Sequence, residues 1–167
     1  ATGALPALPE GVPAAELAQA ARDQGLAGLL LGAIERERPA WAAASLTESL
    51  AGRRRADLVR TLGQIGLAAR ALAMLEARGI RGLPLKGAVL AETVYDVESD
   101  RPMSDVDVLA LEGWPEGVEA LRETGFVEVA RGDHAWAFRD PGGSGIVELH
   151  RSVVSADEGG PVGERRR

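Results

Sequence analysis

The chain contains no cysteine. That excludes disulfides, thiolate zinc sites and cysteine nucleophiles together, and it makes a reducing cytoplasm the expected compartment. Long hydrophobic runs are also missing. The best candidate, Leu26 to Ile34, is interrupted by Gly28 and Gly32 and falls well short of the roughly 18 to 20 apolar residues that span a bilayer. No basic region followed by an apolar stretch opens the chain, so no secretory signal is expected. Lysine is nearly absent: Lys86 is the only one among 19 basic residues, and the rest are arginine. Arginine therefore supplies the surface charge, and the single lysine stands out from it. Histidine occurs twice, at His134 and His150, too sparsely for a histidine-rich zinc site.

The formal charge of −6 works against a general electrostatic grip on nucleic acid. Two local basic runs, Arg53-Arg54-Arg55 and Arg165-Arg166-Arg167, read as a solvated helix face and a charged tail. Trp41, Trp114 and Trp136 lack a surrounding basic stripe and read as partial core. Arg131-Gly132-Asp133 reads as a hairpin turn.

What remains is an ordinary globular composition, with 167 residues, 46% apolar and 26% charged. It suits one compact domain, or a small core with an appended helical segment. Residues 1 to 13 are rich in Ala, Pro and Gly and read as a lead-in. A helical pattern runs from Ala14 to Arg38, weakened by Gly25, Gly28 and Gly32, and Pro39 closes it. Ser45-Leu46-Thr47-Glu48 fits a capping box. Leu58, Leu62, Ile65, Ala69 and Leu72 then recur at helical spacing as one apolar face, up to a stop at Gly79.

After Gly79 the texture changes. Ile80 to Leu85 reads as an edge strand, since Pro84 cannot donate a ladder bond. Ala88 to Tyr95 reads as a short helix and Ser104 to Leu111 as a strand. Pro115 to Thr124 is a helix with proline in its first turn and Gly125 past its end. Phe126 to Ala130, His134 to Phe138 and Ile146 to Val153 are strands, the last reached through a Pro- and Gly-rich turn. The expected fold is α+β, with N-terminal helices packed on a small mixed sheet. The expected division is a helical segment at 1–78, an α+β core at 79–154 and a disordered tail at 155–167.

Side chains two apart in a strand share a face. In the strand Ser104 to Leu111, Asp105 and Asp107 are expected to point one way, and Val106 and Val108 into the opposite layer. In the last strand, Glu148 shares its face with His150, while Val147 and Leu149 turn away. If these strands are neighbours, three carboxylates converge on one side of the sheet, the donor set of a hard cation such as Mg²⁺. Two carboxylates about 5 Å apart repel by roughly 3 kcal/mol at an effective dielectric of 20, a cost that bound cations remove. Upstream, Leu85-Lys86-Gly87-Ala88 places a glycine and the sole lysine where a helix opens, a position that favours phosphate.

The motifs Leu85-Lys86-Gly87-Ala88, Arg101-Pro102-Met103-Ser104-Asp105-Val106-Asp107-Val108-Leu109 and Val147-Glu148-Leu149-His150 resemble those of the uncharacterised nucleotidyltransferase family, within the DNA polymerase β-like superfamily. The resemblance implies that Gly87 belongs to the glycine motif, Asp105 and Asp107 to the metal-binding pair, and Glu148 to the third carboxylate. Ala88 stands where that superfamily has serine, and Lys86 is expected to supply the missing phosphate contact. Arg101 and His150 join Lys86, Gly87 and Ala88 as candidate nucleotide contacts.

The expected activity is transfer of a nucleoside monophosphate from a triphosphate such as ATP to an acceptor hydroxyl. Asp105, Asp107 and Glu148 would act on Mg²⁺ or Mn²⁺. The acceptor is left open among small molecule, RNA and protein, a toxin-type enzyme being one form of the last two. The alternative is an inactive nucleotide-binding or scaffold protein acting with a partner chain. A protein partner or a second copy would be met through the N-terminal helices, and no membrane is expected.

Overall fold

The computed structural model describes Leu5, Pro6 and residues 11–153. The tail expected at 155–167, with its arginine run, lies outside the described residues, as does most of the lead-in before residue 11. Among the described residues are five α-helices, a short 3-10 helix at Glu98–Asp100 and five strands. They run α1 (Ala14–Asp23), α2 (Ala27–Glu37), α3 (Ala44–Glu76), β1 (Gly82–Pro84), α4 (Lys86–Thr93), β2 (Val106–Ala110), α5 (Trp114–Glu123), β3 (Val127–Arg131), β4 (Ala135–Arg139) and β5 (Ile146–His150). The α+β class holds, with helices preceding a mixed sheet. The chain packs as two compact units: one comprises the segment up to Leu62 together with Leu90–Pro102, the other Gly63–Val89 together with the chain from Met103 onward.

In the first unit the single helical stretch expected from Ala14 to Arg38 is two helices. Gly25 adopts a φ of 66°, and the Leu26 amide reaches back to the Ala21 carbonyl at 2.7 Å, a helix stop that suits glycine. The buried core here is Ala18, Ala21, Ala27, Leu31, Ile34, Leu46 and Leu50. The expected capping box is displaced: Ala44 is already helical, and the Ala43 carbonyl accepts from the Leu46 and Thr47 amides. Ser45 therefore sits inside the first turn.

α3 continues unbroken through Gly52, Gly63 and Gly66 for 33 residues and contributes to both units. Its inward stripe differs from the expected one. Leu62 is 53% exposed and Ala69 is exposed, whereas Leu50, Asp57, Thr61, Gln64, Leu67, Ala71 and Leu75 are buried. Length and composition alone would let α3 cross a membrane, but Leu67, Ala71 and Leu75 are interior residues of the second unit.

The sheet of the second unit has the order β1-β2-β5-β4-β3. β2 and β5 are parallel neighbours, and every other pairing is antiparallel. The edge position expected for the Pro84 strand is the one found. Val106, Val108, Phe138, Val147 and Leu149 are all but fully buried, each worth roughly 1.5 to 3 kcal/mol. They share the face covered by α5 and the end of α3: a side chain at Gly117 of α5 would meet Leu75 and Leu149, and the Trp114 indole donates to the Leu149 carbonyl at 3.2 Å. With that face given to the core, the intervening residues of β2 and β5 occupy the opposite face.

Candidate metal centre

Register decides the site. Asp107 of β2 lies directly beside Glu148 of β5, and Leu109 beside His150. Alternation puts all four on the face away from α5. Asp107, Glu148 and His150 each offer a ligand atom, and these atoms lie within 4.8 Å of one another. Asp107 is 8% exposed at its side chain and His150 only 2%, whereas Glu148 keeps 34%. Asp107 and Glu148 side by side offer carboxylate oxygens, the donors that fit a hard divalent cation.

Asp107 is the hub. Its Oδ1 accepts from the Lys86 ammonium at 2.6 Å and lies 2.8 Å from His150 Nε2. An ionised carboxylate only accepts, so Nε2 carries the proton in this bond. The same nitrogen is 3.5 Å from Glu148 Oε2. Burial pushes the Asp107 carboxyl up, but the His150 and Lys86 bonds outweigh it and hold the group below its ordinary value. Lys86 shifts the other way, raised by its bond to Asp107 against a smaller cost of burial. Among the described residues, the buried Nδ1 of His150 has no hydrogen-bond partner, and the His134 ring stands 5.5 Å away, centre to centre.

Local folding explains the approach of Lys86. The Leu85 amide donates to the Asp107 carbonyl at 2.9 Å, extending the β1–β2 pairing by one bond. Lys86 then takes a left-handed φ of 43° that turns the chain into α4. At Gly87 an added Cβ would sit 2.8 Å from Met103 Sδ, so this first turn packs against the lead to β2 with no room for a side chain.

The remaining expected site residues fall as follows. Asp105 precedes β2 in a bend because the strand starts at Val106, two residues later than expected. Strand alternation therefore does not govern its side chain. It lies outside the closest cluster of ligand atoms, although its charge acts on Lys86. Ala88 is buried and presents no polar group. Arg101 belongs to the first unit, where its guanidinium donates to the Pro102 carbonyl at 3.0 Å. The Lys86–Asp107 pair and the direct His150–Asp107 bond were not foreseen. The spacing of Glu148 and His150 signalled their shared face, but nothing in the sequence signalled that His150 would bond the neighbouring strand.

Taken together these elements define an α+β protein that gathers acidic and imidazole groups from two parallel strands, next to a glycine-opened helix. A sequence-family model described as an uncharacterised nucleotidyltransferase matches residues 10–162. The chain belongs to that family, and its placement in the polymerase β-like superfamily is consistent with the match. No curated protein and no solved structure matches the chain.

Proposed function

We propose that the chain transfers a nucleoside monophosphate from a nucleoside triphosphate to an acceptor hydroxyl, releasing pyrophosphate. The observation that carries this reading is the side-by-side register of Asp107 and Glu148 on parallel strands, with His150 completing the cluster. Asp107 and Glu148 hold Mg²⁺ or Mn²⁺, and Asp105 adds negative charge beside them. His150 orients both carboxylates from a buried position. The first turn of α4, with Gly87 and the Lys86 ammonium, receives the phosphate chain. Glu148, the most accessible of the three clustered groups, takes the proton of the acceptor hydroxyl. A bound divalent cation supplies neutralisation of phosphate charge, which leaves positioning as the main task of the protein. Arg101, expected as a nucleotide contact from its place before the carboxylate strand, has no part in this proposal.

A scaffold reading has one observation in its favour, namely that an ammonium already pairs with Asp107. Label transfer separates the two. With α-labelled triphosphate and Mg²⁺, the enzyme reading expects Mg²⁺-dependent transfer of the label to the acceptor as unlabelled pyrophosphate leaves, lost in Asp107→Asn and Glu148→Gln. Binding without release in any acceptor mixture supports the scaffold. A melting curve tests the metal directly. At Mg²⁺ about 100 times its Kd, the site adds about 2.7 kcal/mol, and Asp107→Asn removes that gain. Survival of the Mg²⁺ response in both variants sinks the metal assignment.

A further inference from the structure

Lys86 combines three features. It is the only lysine in the chain. It is one of two non-glycine residues with positive φ among those described, a conformation side chains rarely adopt without a structural demand. Its ammonium rests on Asp107 Oδ1, the oxygen that His150 also bonds. The two partners of that oxygen differ in freedom. The His150 side chain is 2% exposed and the Lys86 side chain 60%. Lys86 can leave through solvent without opening the core, and His150 cannot.

We propose that Lys86 is an internal counter-cation, seated on Asp107 while no divalent cation is bound and transferred to the phosphate chain of the incoming triphosphate when one arrives. This rests on the metal-dependent reading above. A divalent cation at Asp107 would face an ammonium 2.6 Å from the ligand oxygen, and like charges at such range repel strongly in a partly buried site. The lysine must swing away, and a phosphate received at the first turn of α4, where Lys86 is itself the first residue, offers it a counter-charge beyond the carboxylates Glu148 and Asp105 already near it. The main chain stays fixed meanwhile, because the Leu85 amide is bonded to the Asp107 carbonyl and Gly87 is packed on Met103. Metal and triphosphate are thereby coupled through one side chain. The lysine weakens binding of the cation alone and strengthens binding of the polyphosphate.

The opposite signs make the test. Calorimetric titration of wild type and Lys86→Met with Mg²⁺ alone, and with inorganic tripolyphosphate plus Mg²⁺, reads both arms without assuming a base. The variant should bind Mg²⁺ alone at least about tenfold more tightly and tripolyphosphate about tenfold more weakly, each step being about 1.4 kcal/mol. A purely structural lysine would weaken both. Because there is a single lysine, ¹³Cε-lysine labelling of the unaltered protein gives one side-chain signal. That signal should move on adding Mg²⁺ and again on adding tripolyphosphate, and should already be displaced in Asp107→Asn. Asp107-dependent Mg²⁺ binding of equal strength in wild type and Lys86→Met, or a lysine signal unmoved at saturating Mg²⁺, overturns this proposal alone. Absence of any Asp107-dependent Mg²⁺ binding overturns it together with the metal reading.

Discussion

At Asp107 one carboxylate oxygen serves two cationic or potentially cationic donors of very different burial, and their energetic weights should differ accordingly. The bond to His150 lies in the interior, where a hydrogen bond to a charged group contributes about 1.5 to 3 kcal/mol and a stranded partner costs as much again. The bond to Lys86 is shorter, but the lysine is largely in water. Solvent screening and side-chain entropy hold such pairs to below about 1 kcal/mol. Length alone would rank them the other way. Double-mutant cycles by urea unfolding, pairing Asp107→Ala with His150→Ala and then with Lys86→Ala, should give the larger coupling for His150. Equal couplings, or the reverse order, would show that Asp107 is less enclosed than its exposure indicates. The same bonds hold the Asp107 carboxyl below its ordinary value, so its contribution to stability is present above the ordinary carboxylate range and lost as pH falls through the depressed value. His150→Ala removes one of the lowering bonds and should raise the midpoint of the Asp107 carboxyl signal in a ¹³C titration.

At the scale of elements, the position of Glu148 depends on how the chain enters β5. The turn before it is held by Asp140, whose buried carboxylate accepts from the Ser144 amide at 3.0 Å and pairs with Arg70 of α3 at 2.7 Å. Burial pushes the Asp140 carboxyl up, yet Arg70 and the Ser144 and Gly142 amides outweigh it and bring the group to about 2, from an ordinary 3.8. A depressed folded value means that stability from Asp140 is fully present above about 3.8 and is lost as pH falls toward 2. With the half-exposed Arg70 discounted, the contribution is about 1 to 2 kcal/mol. Asp140→Asn should be less stable than wild type by that amount at pH 7, with the gap closing between pH 4 and pH 2 in urea unfolding. A gap that persists at pH 2 would place the cost in turn geometry rather than charge. The elements themselves were largely legible: proline, glycine and alternation located every strand, and the Glu148–His150 spacing gave their common face. What the sequence withheld were choices between equivalent local patterns. On α3 both Leu58-Leu62-Ile65 and Leu67-Ala71-Leu75 recur at helical intervals. Periodicity says which residues share a face, not which face turns inward. Asp105 looked like a strand residue because Asp-Val-Asp-Val alternates, but pairing with β5 begins at Val106. The pairings of Lys86 and His150 with Asp107 come from a helix start and a strand brought beside β2 by tertiary folding, which no local pattern encodes.

At the scale of the whole molecule, the consequential fact is that α3 runs as one 33-residue helix whose first part belongs to one compact unit and whose last part belongs to the other. α4 is divided in the same way between Val89 and Leu90. A helix that runs through two units links their unfolding, because fraying one half exposes the next hydrogen-bonded turns of the same helix. The three tryptophans allow this to be read: Trp41 lies in the first unit, and Trp114 and Trp136 in the second. Variants retaining only Trp41, or only Trp114 and Trp136, should report the same urea midpoint and the same denaturant slope, the signature of a single cooperative transition. Mg²⁺ would bind groups of the second unit alone, yet a linked molecule passes the stabilisation to both. Saturating Mg²⁺ should therefore raise the Trp41 midpoint as much as the Trp114–Trp136 midpoint. If only the latter pair responds, the shared helices do not couple the units, and metal-dependent stability belongs to the sheet alone.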